Sequence, residues 1–396
     1  MIARQVPPGE VDGPVPHEAH LGALAALPYL GATSLRTLLA EGTPAEVWER
    51  VRRGRLGAAV TARLPPAVRA AAAEWPAAAQ QIDPEAMWRR WRRAGIGVVS
   101  LGSPGYPSCL AEDPEPPVVL FHRGDPDVLA RPRVAIIGTR RSTAYGRRVA
   151  HSMGRDLAAA GVCVVSGLAL GIDAAAHRGA VGTDGVGPAA VVGGGVDAPG
   201  PATNAELARE VIDRGVVLSE VPPGTPPAPW RFPVRNRILA GLAQVVIVVE
   251  SAAAGGSMLT VEQAQLRGRS VLAVPGPVDS AASEGTNRLL AEGAGVCVDV
   301  DDVLMALGFE ADVAGFAAGP PIEARQRPDG DAGSVLDALA FVPVPVEALA
   351  REVGLDLARL SVALGELERL GWAERRGPFV ERVARGRVDG SSPRSR

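Results

Sequence analysis

Three phrases in the chain bring together glycine, hydroxyl, arginine and aromatic side chains at spacings that could hold an anion. They are VAIIGTR at Val134 to Arg140, SGLALGID at Ser166 to Asp173, and FPVRNRILAGL at Phe232 to Leu242. In the first two an apolar run ends on glycines and polar residues, so that Gly138, Thr139, Arg140 and Arg141 follow one run and Ser166 and Gly167 follow the other. Glycines at such points let a ligand approach the backbone and leave N–H groups facing an anion. Arg140 would add a bidentate, charge-assisted hydrogen bond to phosphate. A tight turn into the next helix explains one glycine loop equally well; several loops on one sheet edge are more specific. The third phrase puts Trp230 and Phe232 on either side of Arg231, then Arg235 and Arg237 around Asn236 where a helix should begin. An aromatic ring among arginines is the composition of a single-stranded nucleic-acid site, in which stacking one base contributes about 1–3 kcal/mol whatever the base. The competing reading makes Phe232 a core anchor and pairs the arginines with Glu220 and Glu250.

Other chemistries find less support. The chain has no lysine, and all 41 basic residues are arginine. That removes a Walker A phosphate loop and Schiff-base catalysis and leaves the planar guanidinium fork, which suits phosphate. A GC-rich coding bias, which also explains the abundance of Ala, Gly and Pro, accounts for most of the lysine deficit. The loop GTRRSTAYG is not GxGxxG and no ribose partner is evident, so neither a dinucleotide nor any other cofactor is expected. Asp173 and His177 stand one helical turn apart and could form a metal or acid–base pair. No later histidine follows in the sheet segment, however, and HExxH and CxxC are absent. The favoured roles are therefore helix capping for Asp173 and a loop hydrogen bond for His177, with no metal and no catalytic residue.

The elements that must position these residues are legible as runs. From Val98 onward, VVSL, VVLFH, VAIIG, VCVVSG, AAVVGGG, VVLSE, VVIVVE, VLAVPG and GVCVDV alternate with helical stretches. Continuous apolar strands of this kind predict a parallel sheet covered on both faces. The expected fold is α/β, a Rossmann-like, doubly wound, mostly parallel sheet over residues 84–309, closed by a capped helix at Asp299 to Leu307. An N-terminal helical domain is expected over 17–80, where the phrase Leu24 to Leu39 resembles a helix-hairpin-helix, with a plain turn between packed helices the favoured reading. A linker is expected over 310–333, a winged helix over 334–384 with its wing at Trp372 to Val383, and a disordered tail over 385–396.

At 396 residues two or three domains are expected. A formal net charge of -3 gives no global basic signature, so a polyanion site needs local clustering. Arg131 to Arg155 supplies seven arginines and no acid, most of them solvated helix residues, with Arg140 and Arg141 expected to touch ligand. Cys109, Cys163 and Cys297 are widely spaced; the last two read as buried thiols, which suits a reducing cytoplasm. No apolar run reaches about 18 residues, so a cytoplasmic protein without a membrane partner is expected.

From about Pro104 to Leu307 the chain resembles the DNA-processing protein A family, also called Smf. The phrases VAIIGTR, VVSGLALGIDAAAH, GGGVD with Pro201 and Asn204, LSEVPPG, FPVRNRILAGL, VVE with Gly256 and Ser257, VLAVPG, and Ser283, Gly285 and Asn287 follow the family pattern in order. The helical start and winged-helix end are similar to members with three domains. The resemblance implies a non-enzymatic protein that binds and protects incoming single-stranded DNA and loads RecA recombinase during natural transformation and recombination. It also implies a homodimer through the Rossmann-like domain. Arg140 would contact the DNA backbone and Phe232 would meet the strand, with Asn204, Gly256 and Ser257 joining the DNA-binding set. Two departures bear on the groove: Gly200 stands where the family usually has Tyr, and Ala202 where some members carry a DNA-binding Lys. Weaker binding there, or use of Arg231 instead, is implied. In the winged helix, Asp356, Glu366 and Glu368 beside Arg359 and Arg369 are unfavourable for phosphate. A protein contact or regulatory role therefore stands beside DNA reading, with Arg375 and Arg376 as the basic handle. The alternative function is a nucleotide-processing enzyme similar to the phosphoribohydrolases. Its PGGxGTxxE phrase is incomplete here, because Gly193 to Gly195 lead into Val196 and Asp197, and GGSMLTVEQ from Gly255 lacks the second Gly-Thr.

Overall fold

The computed structural model describes residues 15–308, 327–339 and 343–382. The chain forms two compact units, 1–310 and 311–396. The first opens with short helices: α1 (His17–Ala25), α2 (Ala32–Leu39), α3 (Pro44–Arg52), α4 (Ala58–Ala62), α5 (Pro66–Ala71), α6 (Trp75–Gln80) and α7 (Pro84–Arg93). Prolines start several of them, because an N1 residue needs no N–H partner, and Thr43 and Asp83 accept hydrogen bonds from the first turns of α3 and α7. Their apolar faces bury Leu24, Leu38, Trp48 and Trp75 in a core that continues into Val119, Phe121 and Val217 of the sheet. Trp91 meets Phe121 edge-on at 5.3 Å. In the turn between α1 and α2, Tyr29 takes a left-handed φ of 61°, and Trp75 Nε1 donates to Pro28 O at 2.9 Å.

Each apolar run of the sequence becomes one strand of a nine-stranded sheet. The strands are β1 (Ile96–Ser100), β2 (Val119–Gly124), β3 (Arg133–Ile137), β4 (Cys163–Ser166), β5 (Ala189–Val191), β6 (Val216–Ser219), β7 (Val245–Val248), β8 (Ser270–Ala273) and β9 (Gly295–Val296). Helix α8 (Ser108–Ala111) lies between β1 and β2, and the crossovers are α9 (Ala144–Ala159), α10 (Ile172–Val181), α11 (Ala205–Arg214), α12 (Arg231–Leu242), α13 (Gly256–Leu266) and α14 (Glu284–Ala291). The spatial order is β1-β2-β6-β5-β4-β3-β7-β8-β9. Strands β3 to β9 pair in parallel, whereas β1 and β2 are antiparallel additions on the β6 edge. One face packs Ile137, Val165 and Val248 against Ile238 and Leu239 of α12 and Val261 of α13. The other packs Ile136 and Val164 against Met153 and Leu157 of α9 and Ile172 of α10. Helix α15 (Val300–Ala306) closes the unit with a capping box between Asp299 and Asp302, as the sequence predicts. The winding runs outward from β3 in both directions, so it reverses between β3 and β7, where loops leaving the strand ends splay apart and open a crevice.

The second unit holds α16 (Gly330–Ala338), β10 (Val344–Pro345), α17 (Val346–Val353), α18 (Leu357–Arg369), β11 (Ala373–Arg376) and β12 (Phe379–Arg382). The three-stranded sheet has the order β10-β12-β11, and the unit has its own core of Val335, Leu336, Leu349, Leu360, Leu364 and Val380. This is a winged helix. Helix α16 begins inside the stretch expected as linker, because Val335 and Leu336 are buried and draw the preceding turn into the fold. Residues 310–326 of that linker and the tail at 385–396 lie outside the described residues. Among the described residues no helix is long and apolar enough to cross a membrane.

Candidate nucleic-acid interface

A cleft of about 330 Å³ opens where the winding reverses between β3 and β7. Its walls are the loop after β3 (Gly138, Thr139, Arg140, Arg141), the first turns of α12 (Phe232, Pro233, Arg235, Asn236, Leu239) and the start of α13 (Gly255, Gly256, Ser257, Leu259, Thr260). Glu250, buried just after β7, ties two of these walls together. Its carbonyl accepts from Thr139 N at 2.8 Å, and its carboxylate accepts from the N–H and the hydroxyl of Thr143. Glu250 is therefore a brace for the β3 loop and pairs with no arginine among the described residues. Gly171 packs beneath the same loop at φ 82°, so close that a Cβ there would sit 2.4 Å from Thr139 O.

The rim carries unpaired positive charge. Arg140 and Arg141 are exposed, and neither has a carboxylate partner among the described residues. The Arg140 guanidinium lies 4.7 Å from the centroid of the Phe232 ring. Phe232 in turn packs on the glycine turn after β5, where a Cβ on Gly193 would meet its Cδ1 at 3.2 Å. Helix α13 starts at Gly255 with no side-chain cap, so its first N–H groups and the positive end of its dipole open on the cleft. Ser257 lies beside them, its hydroxyl donating to Ser251 Oγ at 2.8 Å.

The floor is internally balanced. Arg235 is buried, donates Nη1 to Val191 O and leaves Nε without a partner. Burial pulls its pKa down to about 10, with Asp173 opposing and Arg140 adding to the shift, so it remains charged at neutral pH. Asp173 is held above the usual carboxylate range by burial, with Arg235 the main opposing charge. Its Oδ2 accepts from Gly167 N at 3.1 Å, whereas α10 has no side-chain cap. The expected capping role is thus replaced by bracing of the loop after β4. His177 is wholly buried and neither ring nitrogen meets hydrogen-bond geometry, so the expected loop hydrogen bond is absent. Burial drives its pKa down to about 3, Arg235 adds to the shift and the Ala189 backbone opposes it. Among the described residues no group of three or more His, Cys, Asp or Glu side chains could hold a metal.

The structure brings Gly138, Thr139, Arg140, Arg141, Phe232, Arg235, Asn236, Gly256 and Ser257 to one cleft. The other predicted residues lie elsewhere. Ser166 is buried and donates to Ile136 O at 2.6 Å. Gly167 makes room for Arg235, since a Cβ there would lie 2.1 Å from its Nη1. Asn204 is buried and donates to Leu168 O at 3.0 Å, holding a non-glycine residue whose φ is 52°. Arg231 stands outside the cleft lining, donating to Pro226 O beside the Trp230 ring. Arg237 is buried, paired with Glu220 as in the competing reading, and bonded to Glu115 O. The sequence alone does not single out Leu239, Leu259 and Thr260. Leu239 lies one helical turn after Arg235, and the other two lie in the first two turns of α13, so helical spacing is the signal that could have found them. At Gly200, φ is 78°, a backbone that suits the glycine found there. In the winged helix Arg359 pairs with Asp331 and Arg375 approaches Glu368 at 3.5 Å, so both are partly neutralised. The Arg376 side chain lies outside the described residues.

A family model described as DNA recombination-mediator protein A matches residues 97–308, and one described as the DprA winged helix domain matches residues 319–377. The chain is 37% identical to the DNA processing protein DprA of Bacillus subtilis over 214 residues, 54% of this chain and 72% of that protein. It is 34% identical to Protein Smf of Escherichia coli over 273 residues, 67% of this chain and 72% of that protein. It is also similar to the X-ray structure of DNA processing protein A from Streptococcus pneumoniae, with a TM-score of 0.60 and 32% identity, covering 73% of this chain and 96% of that one.

Proposed function

The chain belongs to the DNA recombination-mediator protein A family, and we propose that it binds single-stranded DNA in the β3/β7 cleft without transforming it and hands the strand to RecA recombinase. One observation carries the DNA reading: the unpaired Arg140 guanidinium and the Phe232 ring stand 4.7 Å apart at the mouth of the winding reversal. A phosphate would meet the Arg140 fork and the open amides of α13, while a base stacks on Phe232. Neither contact reads a base edge, so binding would tolerate any sequence. The sealed, neutral His177 and the braced Asp173 favour binding over chemistry. Delivery to RecA, and a homodimer formed through the Rossmann-like sheet in the cytoplasm, follow the family's character as recombination mediators.

The test is fluorescence anisotropy with labelled oligothymidylate on the wild type, Arg140→Ala and Phe232→Ala. Wild-type binding that weakens in both variants is expected, and unchanged binding in both would sink the site. Release of free base from nucleoside monophosphates would favour a nucleotide-processing enzyme instead. Capture of RecA by the full chain, compared with and without single-stranded DNA and after deletion of 333–396, tests the hand-over.

A further inference from the structure

We infer that Trp230 is a second base platform, taking the nucleotide next to the one on Phe232, so that the strand crosses the start of α12 rather than ending in the cleft. This rests on the single-strand reading above and extends it to a residue outside the cleft lining.

Three observations carry it. Trp230 is 64% exposed, which for so large a ring leaves a broad face open to a ligand. The ring is nevertheless held: the Arg231 guanidinium lies 4.7 Å from its centroid, and Arg231 is itself fixed by donating Nη1 to Pro226 O. One face is therefore occupied by a positioned cation while the exposed area remains available for stacking. This repeats the arrangement at Phe232, where Arg140 lies at the same 4.7 Å. Finally, the segment carrying both modules packs on one glycine turn. Phe232 and the Arg231 backbone both seat on Gly193, where a Cβ would meet them at 3.2 and 3.6 Å, and Pro227 seats on Gly194 at 3.1 Å. A ring whose orientation is fixed before binding gives up little conformational freedom when a base arrives. Each cation beside its ring can also serve the phosphate between neighbouring bases.

The experiment measures oligothymidylate affinity for Trp230→Ala, Trp230→Phe, Phe232→Ala and the Trp230→Ala/Phe232→Ala double variant, alongside thermal unfolding of each and quenching of intrinsic tryptophan fluorescence. Trp230→Ala is expected to weaken binding about five-fold or more with an unchanged unfolding midpoint. Trp230→Phe should restore most of the affinity while abolishing the exposed-tryptophan quenching that DNA causes in the wild type. The losses of the two single alanine variants should add in the double variant, as for separate bases. If Phe232→Ala weakens binding but Trp230→Ala binds and quenches like the wild type, the second platform is wrong and the single-strand reading stands. The second platform is equally wrong if Trp230→Ala alters only capture of another protein. If the wild type binds no oligonucleotide, the single-strand reading falls and takes this inference with it.

Discussion

Replacing Arg140 with alanine separates binding from folding more cleanly than any other substitution in the cleft. Its guanidinium is exposed and has no carboxylate partner among the described residues, so its contribution to folding comes from the contact with Phe232, set against charge repulsion from Arg235. At an exposed site that contact is worth about 0.5–1 kcal/mol, which leaves the unfolding midpoint nearly unchanged. On DNA the same side chain supplies a charged hydrogen bond to phosphate worth about 1.5–3 kcal/mol, which corresponds to roughly 10- to 150-fold in affinity. One neutralised phosphate also removes about 0.7 from the slope of log K against log salt on a single strand. Arg140→Lys keeps the charge but loses the fork, so its slope should match the wild type while its affinity falls between the two. Anisotropy with labelled oligothymidylate across a salt series of about 50–200 mM, with thermal unfolding of each variant, gives all of these quantities. A loss under about two-fold with an unchanged slope would rule out Arg140 as a phosphate contact, as would a loss that tracks a drop in unfolding midpoint.

Gly171→Ala should weaken DNA binding from beneath: its φ of 82° and a Cβ 2.4 Å from Thr139 O and 2.8 Å from Arg140 O force the β3 loop outward. The strain is about 1–3 kcal/mol, and the affinity for oligothymidylate should fall together with the denaturation midpoint. His177, whose pKa burial pulls to about 3 from an unfolded value of 6.5, contributes stability that is complete above the unfolded value and lost as pH falls towards the folded one. His177→Leu should therefore flatten the decline in unfolding free energy between about pH 6 and 4 by up to about 1.4 kcal/mol per pH unit; an unaltered slope would show that this ring is not buried neutral. Arg267 Nε and Nη2 clasp the Asp113 carboxylate at 2.6 and 3.0 Å in a buried pair. Arg267→Ala should lower stability by about 3–5 kcal/mol while folded protein keeps its DNA affinity, which urea titration and anisotropy on the same sample resolve.

The central strands β3 to β7 were legible because they are buried on both faces and read as unbroken apolar runs; VAIIG and VVIVVE leave no other place for Ile136 or Ile247. What the runs do not carry is direction. The antiparallel pairing of β1 and β2 depends on which edge they meet, a long-range fact invisible in VVSL or VVLFH. The cleft was legible in part for the same reason. Residues directly after β3 and at the start of α12 must emerge at one sheet edge, and Gly138 to Arg141, Phe232, Arg235 and Asn236 do. For Arg237 the sequence offers both a phosphate and Glu220 as partner, and the pairing with Glu220 is decided only when β6 and α12 pack. Asn204 holds the carbonyl of the left-handed Leu168, a contact 36 residues back in the chain that its phrase does not carry. The surroundings of His177 could not be read from spacing, because its complete burial depends on long-range packing.

Photochemical cross-linking of a bromodeoxyuridine-substituted single strand to the full chain, followed by identification of the modified peptide, asks where on the molecule the strand lies. Binding in the β3/β7 cleft predicts adducts at Phe232, accompanied by Trp230, that vanish in Arg140→Ala under conditions where binding is lost. Adducts confined to the winged helix at 330–382, with residues 226–241 unmodified, would contradict it.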